Sequence, residues 1–90
     1  MEIVFRALAD LNRRKLLDEL HLRDGQTVGE LAAALSNMTR FGAMKHLRIL
    51  ESAGLVVTRR DGRRKRHFFN PMPIQRIHER WISKFTQSAK

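Results

Sequence analysis

Arginine and lysine are the residues of this sequence best suited to bind a ligand, and they are concentrated in one third of the chain. The 90 residues carry 18 Lys and Arg against nine Asp and Glu, a net charge of +9. The segment from Ser36 to Asn70 holds nine of these cations and two acids, and so accounts for +7 of that charge. Such clustering predicts a surface that attracts a polyanion. Nucleic acid is the leading candidate. An anionic membrane is the weaker one, because the segment lacks an amphipathic helical pattern.

Six of these cations fall within eight consecutive residues. β-prone residues flank them at Leu55–Thr58 and His67–Phe69, and Asp61-Gly62 is a turn signal, so we predict a β-hairpin with a basic tip. A turn at Asp61-Gly62 places Arg60 opposite Arg63 and Arg59 opposite Arg64, like-charge pairs that cost about 0.2–1 kcal/mol each. DNA phosphates reverse that cost, whereas a role in solubility alone favours mixed signs. The candidate DNA contacts of the hairpin are Arg59, Arg60, Arg63, Arg64, Lys65 and Arg66.

A helix preceding the hairpin is the expected reader of the major groove. Thr39 is a typical N-cap, Ala43, Leu47 and Leu50 form an apolar stripe, and Gly54 is suited to end the helix. The candidate DNA contacts of this helix are Thr39, Arg40, Phe41, Met44, Lys45, His46 and Arg48.

These candidates differ in the chemistry they offer. Arg40 and Lys45 suit guanine acceptors, and Phe41 or Met44 suits a thymine methyl group. Thr39 and the amides at the N-terminus of the helix are suited to bind a phosphate, and Arg48 is suited to contact the DNA backbone rather than the bases. The alternative for Arg40 and Lys45 is plain surface charge. For Met44 and His46 it is packing against the neighbouring helix.

The elements that position these residues form a winged helix-turn-helix. Thr27 and Glu30 fit a capping box that opens a helix ending near Ser36-Asn37, about three residues before the reading helix. Upstream, Ile3–Leu8 predicts a short helix, and Asp10 caps a second one with Leu11, Leu16, Leu17 and Leu20 as its apolar stripe. We therefore expect residues 1–90 to form one domain, mainly α with a small β-hairpin (α+β), containing about five helices and a two-stranded wing.

The two ends of the chain carry more apolar residues than so small a domain needs at its periphery. Pro73 fits the first turn of a last helix in which the apolar positions follow helical spacing. A dimer interface explains this surface, and packing in the core is the alternative. The candidate interface residues are Ile3, Val4, Phe5, Ile74, Ile77, Trp81 and Phe85.

Several function classes are excluded or made unlikely by composition. There is no cysteine, which removes disulfides, thiolate metal clusters and cysteine nucleophiles. No apolar run approaches the roughly 20 residues that span a bilayer, and the first residues do not form a secretory signal, so we expect a cytoplasmic protein, nucleoid-associated when bound to DNA. With no convergent acid–base set and no glycine-rich phosphate loop, we do not expect an enzyme or a cofactor.

Four stretches of the sequence resemble the ArsR/SmtB family of bacterial repressors. These are Ala7–Leu17, Thr27–Ala32, Met44–Val56 and the basic hairpin containing Gly62. The ending, from Asn70–Ile74 to Arg80–Ile82, further resembles a metal-independent branch. The resemblance implies a homodimer built from the first and last helices that binds an imperfect DNA palindrome and represses transcription.

The sequence departs from the metal sensors of that family. The helix that carries their cysteines has Ala32, Ala33 and Ala34 here, and His78-Glu79 point to different faces of the last helix. Zinc needs three or four convergent ligands, so we expect no metal. Two alternatives remain. One is a non-specific nucleoid-type DNA-binding protein, and the other is a metal-responsive sensor with a non-cysteine site that uses His21 or His78.

Overall fold

The computed structural model describes residues 1–88 and confirms a mainly helical fold with one antiparallel hairpin. Four helices precede the hairpin: α1 (Glu2–Leu8), α2 (Leu11–Leu22), α3 (Val28–Ala34) and α4 (Arg40–Ser52). The hairpin, called the wing below, consists of β1 (Val56–Asp61) and β2 (Arg64–Phe69). The chain then continues through α5 (Met72–Ile77), a π-helical turn (His78–Ile82) and α6 (Ser83–Ser88). We refer to these last three segments together as the terminal helix.

The three predicted N-caps are confirmed, and each begins its helix at the expected residue. The Asp10 carboxylate accepts the backbone N–H groups of Asn12 at 2.8 Å and Arg13 at 3.2 Å. In the capping box of α3, the Thr27 hydroxyl accepts the backbone N–H of Glu30 at 3.2 Å, and the Glu30 carboxylate accepts the backbone N–H of Thr27 at 2.9 Å. Thr39 accepts the backbone N–H of Gly42 at 3.0 Å. These bonds satisfy amide groups that have no partner within the helix, so local sequence determines where α2, α3 and α4 begin.

One hydrophobic core joins the helices to the base of the wing. Its fully buried side chains are Leu16, Leu20, Leu31, Leu47, Leu50 and Leu55. Leu11, predicted to belong to the stripe of α2, is instead largely exposed. At about 100° per residue Leu11 lies on the side of α2 opposite Leu20, which explains why it faces solvent.

The register of the wing differs from the predicted one. Asp61 pairs with Arg64, and the two-residue loop is Gly62-Arg63 rather than Asp61-Gly62. Gly62 has φ +62°, the conformation that a type II′ turn requires at its first central position. The predicted pairs Arg60–Arg63 and Arg59–Arg64 are therefore wrong. Arg60 faces Lys65 and Arg59 faces Arg66.

The apolar stripe of the terminal helix is interrupted. The helix begins with Pro73 in its first turn, as predicted, but a π-helical turn occupies His78–Ile82 and the backbone N–H of Ser83 reaches the carbonyl of His78. The wider turn changes the direction of the side chains that follow it. Ile77, before this turn, packs in the core, whereas Trp81 and Phe85, within and after it, are exposed.

Candidate nucleic-acid interface

The side of α4 that faces away from the core presents both apolar and basic groups. Ala43, Leu47 and Leu50 are buried, and the helical repeat places Phe41 and Arg48 on the opposite side. The Phe41 ring is 68 % exposed, with the Lys45 ammonium 5.4 Å from its centroid. This outer face therefore combines hydrogen-bond donors with an apolar ring, the two kinds of group that read base edges.

A groove with a volume of about 560 Å³ lies between α4 and the wing. Its lining residues are Thr27, Val28, Gly29, Glu30, Arg40, Met44, Leu47, Arg48, Glu51, Arg63, Arg64, Lys65 and His67. Arg40 and Arg48 approach it from the helix, and Arg63, Arg64 and Lys65 approach it from the wing. The fold thus brings together the two cation clusters that are separated in the sequence.

Most of the arginines on this surface have no acidic partner. Within residues 1–88, no carboxylate lies within ion-pair distance of Arg40, Arg48, Arg60, Arg63 or Arg64. Facing cations without counter-charges raise the electrostatic energy of the free protein, and a polyanion would lower it.

Two acids that line the groove form ion pairs with two of the wing cations. Lys65 lies 3.6 Å from the Glu51 carboxylate, and Arg66 lies 3.9 Å from Glu30. Hydrogen bonds from the Thr27 backbone N–H and hydroxyl lower the pKa of Glu30 below its ordinary value. Sequence reasoning missed both acids, because the partners of each lie far along the chain and no local spacing indicates them.

Arg66 and Arg59 make contacts within the protein instead of projecting freely. Arg66 Nε donates to the Asp61 carboxylate at 2.9 Å, and Nη1 donates to the carbonyl of Gly25 at 3.0 Å. The Arg59 guanidinium lies 5.5 Å from the centroid of the Phe68 ring. Arg66 therefore ties the wing to the loop before α3.

His46 packs on the side of α4 that faces α2 and is only partly exposed. The Arg13 guanidinium donates to its Nδ1 at 3.3 Å, and the Asp10 carboxylate lies 4.0 Å away. Burial acts against this effect, but the backbone N–H groups of Arg13 and Asn12, together with the charge of the Arg13 guanidinium, lower the pKa of Asp10 below its ordinary value.

Arg13, which sequence reasoning also missed, joins α1 to this group. Its Nε donates to the carbonyl of Ala7 at 2.8 Å, and Nη2 donates to that of Arg6 at 3.0 Å. Together with the contact to His46, these bonds fix the end of α1 and the start of α2 relative to α4. Only the packing of the three helices reveals this role.

A second exposed surface lies where α1 meets the terminal helix. Ring contacts connect Phe5 with Trp81 at 6.0 Å and Trp81 with Phe85 at 5.6 Å, and Ile3 is exposed beside them on α1. We call these four residues the aromatic surface.

The other three candidates for the dimer interface lie further inside. Val4 and Ile77 are only 7 % and 4 % exposed and belong to the core of the chain itself, which corrects their assignment as surface residues. Ile74 is half-buried against that core. Hydrophobic spacing alone did not distinguish the inner and outer sides of α1.

Two further properties concern the described part of the chain only. Among residues 1–88, no three His, Asp or Glu side chains are grouped closely enough to hold a metal ion. None of the helices there is both long and apolar enough to cross a bilayer.

Comparisons with known proteins identify the family. Residues 8–59, more than half of the chain, match the family model of a helix-turn-helix domain. The chain is also 38 % identical over 86 residues to YuzN of Bacillus subtilis (strain 168), an uncharacterized HTH-type transcriptional regulator, and the match covers 90 % of this chain and 94 % of YuzN.

Solved structures extend the similarity to the whole fold. An ArsR-like transcriptional regulator from Rhodococcus sp. RHA1 superposes with a TM-score of 0.80 at 31 % identity, covering 97 % of this chain and 83 % of that one. This chain belongs to the ArsR family of winged helix-turn-helix transcriptional regulators. A possible ArsR-family regulator of Mycobacterium bovis, solved as a homodimeric winged helix-turn-helix DNA-binding domain, matches with a TM-score of 0.74 at 28 % identity, covering 97 % and 77 % of the two chains.

ArsR-family membership confirms the resemblance drawn from the sequence, and the matched helix-turn-helix domain includes α2, α3 and α4. The family consists of transcriptional regulators rather than enzymes.

Proposed function

We propose that this ArsR-family regulator is a homodimeric repressor that binds an imperfect DNA palindrome, including one upstream of its own gene. The observation that carries this proposal is a set of arginines, on both sides of the groove between α4 and the wing, that have no carboxylate within ion-pair distance among residues 1–88. Arginines in that position match the phosphates that flank a major groove when a helix lies within it.

The proposed contacts divide into base readers and phosphate binders. The N-terminal half of α4 enters the major groove, where Arg40 and Lys45 donate to guanine and Phe41 or Met44 meets a thymine methyl. Thr39 and the amides at the start of α4 hold a phosphate. The DNA backbone is held by Arg48 and by the wing cations Arg59, Arg60, Arg63, Arg64, Lys65 and Arg66.

The aromatic surface supplies the proposed dimer interface. Trp81 and Phe85 are exposed on the terminal helix, and the M. bovis relative is a homodimer. In this arrangement residues 1–90 form one domain, whose first and last helices hold the partner. Two-fold symmetry then places the half-sites about 10 bp, or a multiple of that, apart.

Selection of genomic fragments followed by DNase I footprinting tests the proposal. We expect one two-fold protected site, bound about 10³-fold or more tightly than random DNA at physiological salt. A reporter driven by that promoter should lose expression when the protein is present, whereas increased expression would indicate an activator. Equal affinity for the selected fragment and random DNA would instead indicate a non-specific nucleoid-type protein.

A further inference from the structure

We infer that Phe41, rather than Met44, recognises the 5-methyl group of a thymine in each half-site and so determines part of the operator sequence. This inference rests on the proposed function, since it assumes that α4 lies in the major groove. It assigns one base type to one side chain.

The position of Phe41 favours direct contact with base edges. It is the second residue of α4, and the N-terminal residues of a reading helix are those that approach the bases. The helical repeat puts it about 180° from the buried Leu50, so the ring points directly away from the core. A phenyl ring that is 68 % exposed contributes little to the stability of the free protein.

The neighbours of Phe41 restrict what the ring can meet. Lys45 lies one turn further along α4, with its ammonium 5.4 Å from the ring centroid. Arg48 follows on the same face, so cations accompany the ring along the helix. An apolar partner protein would have to bury these cations, whereas DNA offers them phosphates and guanine acceptors.

Met44 is less suited to this role. It is 38 % exposed and lines the groove towards the wing, about 60° around the helix from Phe41. The thymine methyl is the apolar group that distinguishes one base in the major groove, so an exposed ring at the helix start has one matching partner there.

Replacing thymine by uracil in the selected operator tests the inference, because it removes only the methyl group. The probe is the footprinted duplex, with one thymine at a time replaced by uracil in a single half-site. For the wild-type protein we expect one position per half-site at which uracil lowers affinity about fourfold, the effect of losing one buried methyl. Phe41→Ala should bind the thymine operator more weakly and lose the preference for thymine over uracil at that position.

Two variants serve as matched controls. Met44→Ala removes the neighbouring apolar side chain of α4, and Val57→Ala trims an exposed apolar residue of the wing. Both should keep the fourfold preference, and circular dichroism checks that Phe41→Ala retains its helices.

Three results would overturn the inference. The first is a wild-type protein that distinguishes operator from random DNA but binds the uracil-containing duplexes as tightly as the thymine operator at every position. The second is a Phe41→Ala variant that keeps the preference for thymine over uracil. The third is a preference for thymine that is lost only in Met44→Ala. In each of these the proposed function survives. Loss of all selectivity in the wild type would instead overturn the proposed function and the inference with it.

Discussion

The cationic groove and the aromatic surface lie at different parts of the molecule and are exposed for different physical reasons. The groove between α4 and the wing presents arginines that have no acidic partner among residues 1–88, while the surface formed by α1 and the terminal helix presents aromatic rings. In the free chain, the like charges of the groove repel one another, and the apolar rings of the aromatic surface are exposed to water. A polyanion reduces the repulsion, and burial against another apolar surface removes the rings from water.

Salt separates the two surfaces. Binding at the groove releases counterions from DNA and weakens steeply as salt increases, whereas association through apolar rings changes little. A substitution on either surface should therefore alter one of these behaviours and leave the other intact.

Trp81→Glu should have the largest effect. Trp81 contacts both Phe5 and Phe85, and two-fold symmetry places it in the interface twice. A central aromatic residue contributes about 2 kcal/mol or more, so two copies should weaken dimerisation about a thousandfold. Sedimentation equilibrium measures this change, and operator affinity should fall with it.

Leu22→Glu is the matched control for this change. It introduces the same charge at an apolar residue that is 80 % exposed on α2, outside the aromatic surface. It should remain dimeric. A Trp81→Glu protein that stays a dimer and binds its operator like the wild type would refute the interface.

The paired substitution of Arg63 and Arg64 by alanine should have the next largest effect. Neither has an ion pair within the described residues, and both border the groove. Loss of two phosphate contacts in each subunit should lower the slope of log K against log salt by about two per half-site, and affinity at 0.15 M salt about thirtyfold per half-site, equally for all DNA sequences. Fluorescence anisotropy titrations across a salt series measure both quantities.

Replacing Arg76 and Arg80 by alanine removes the same charge from the terminal helix, where both residues are exposed. The slope should then stay within about half a unit of the wild-type value, because these cations line a separate cleft between α1 and the terminal helix rather than the groove. Equal losses in the two double variants would show that net charge, rather than the groove, determines binding.

Asp10→Ala tests the framework that connects the two surfaces. Asp10 caps α2, which packs against α1 and α4, so its loss should lower the free energy of unfolding by about 1 kcal/mol at pH 7. Folding lowers the pKa of Asp10 below its ordinary value of 3.8, so its carboxylate stabilises the fold fully only above that pH. The stabilisation is lost as the pH falls through the lowered pKa.

Urea unfolding of the wild type and Asp10→Ala at pH 7 and below pH 3.8 measures the difference. The difference in unfolding free energy between the two proteins should be largest at pH 7 and smaller in acid. A constant difference would mean that the charge of the cap is irrelevant, and Asp10→Asn, which keeps a capping oxygen, should lose less stability at pH 7 than Asp10→Ala.

Local interactions explain why much of the fold could be predicted from the sequence. The caps at Asp10, Thr27 and Thr39 act within three residues of themselves, and Gly54, with φ +75°, ends α4 where a glycine was expected. The order of the elements, and with it the winged architecture, followed from the caps, the apolar periodicity and the turn signals along the chain.

The register of the wing could not be predicted from its turn residues alone. Both Asp61-Gly62 and Gly62-Arg63 are acceptable two-residue loops. In the observed register Asp61 stands within β1 and bonds to Arg66, which also reaches the loop before α3. That contact spans 41 residues and is invisible to a local pattern. Ile77 and Trp81 are four residues apart and were predicted on one face of the terminal helix, yet Ile77 is buried and Trp81 is exposed, a distinction that helical periodicity does not make.

Glu51→Gln should have the smallest effect, and it acts in the opposite direction from the arginine substitutions. Glu51 lines the groove, and its carboxylate lies 3.6 Å from the Lys65 ammonium. This ion pair competes with the contact that Lys65 would otherwise make with a DNA phosphate. An exposed ion pair contributes at most about 1 kcal/mol, so stability should change little. DNA affinity should rise about threefold and the salt slope should steepen, because Lys65 becomes available and one repulsive charge is gone.

Glu79→Gln makes the same neutralisation on the terminal helix and should leave both quantities unchanged. Unchanged affinity in Glu51→Gln would place Lys65 outside the DNA contacts and confine the wing's contribution to the unpaired arginines at its tip.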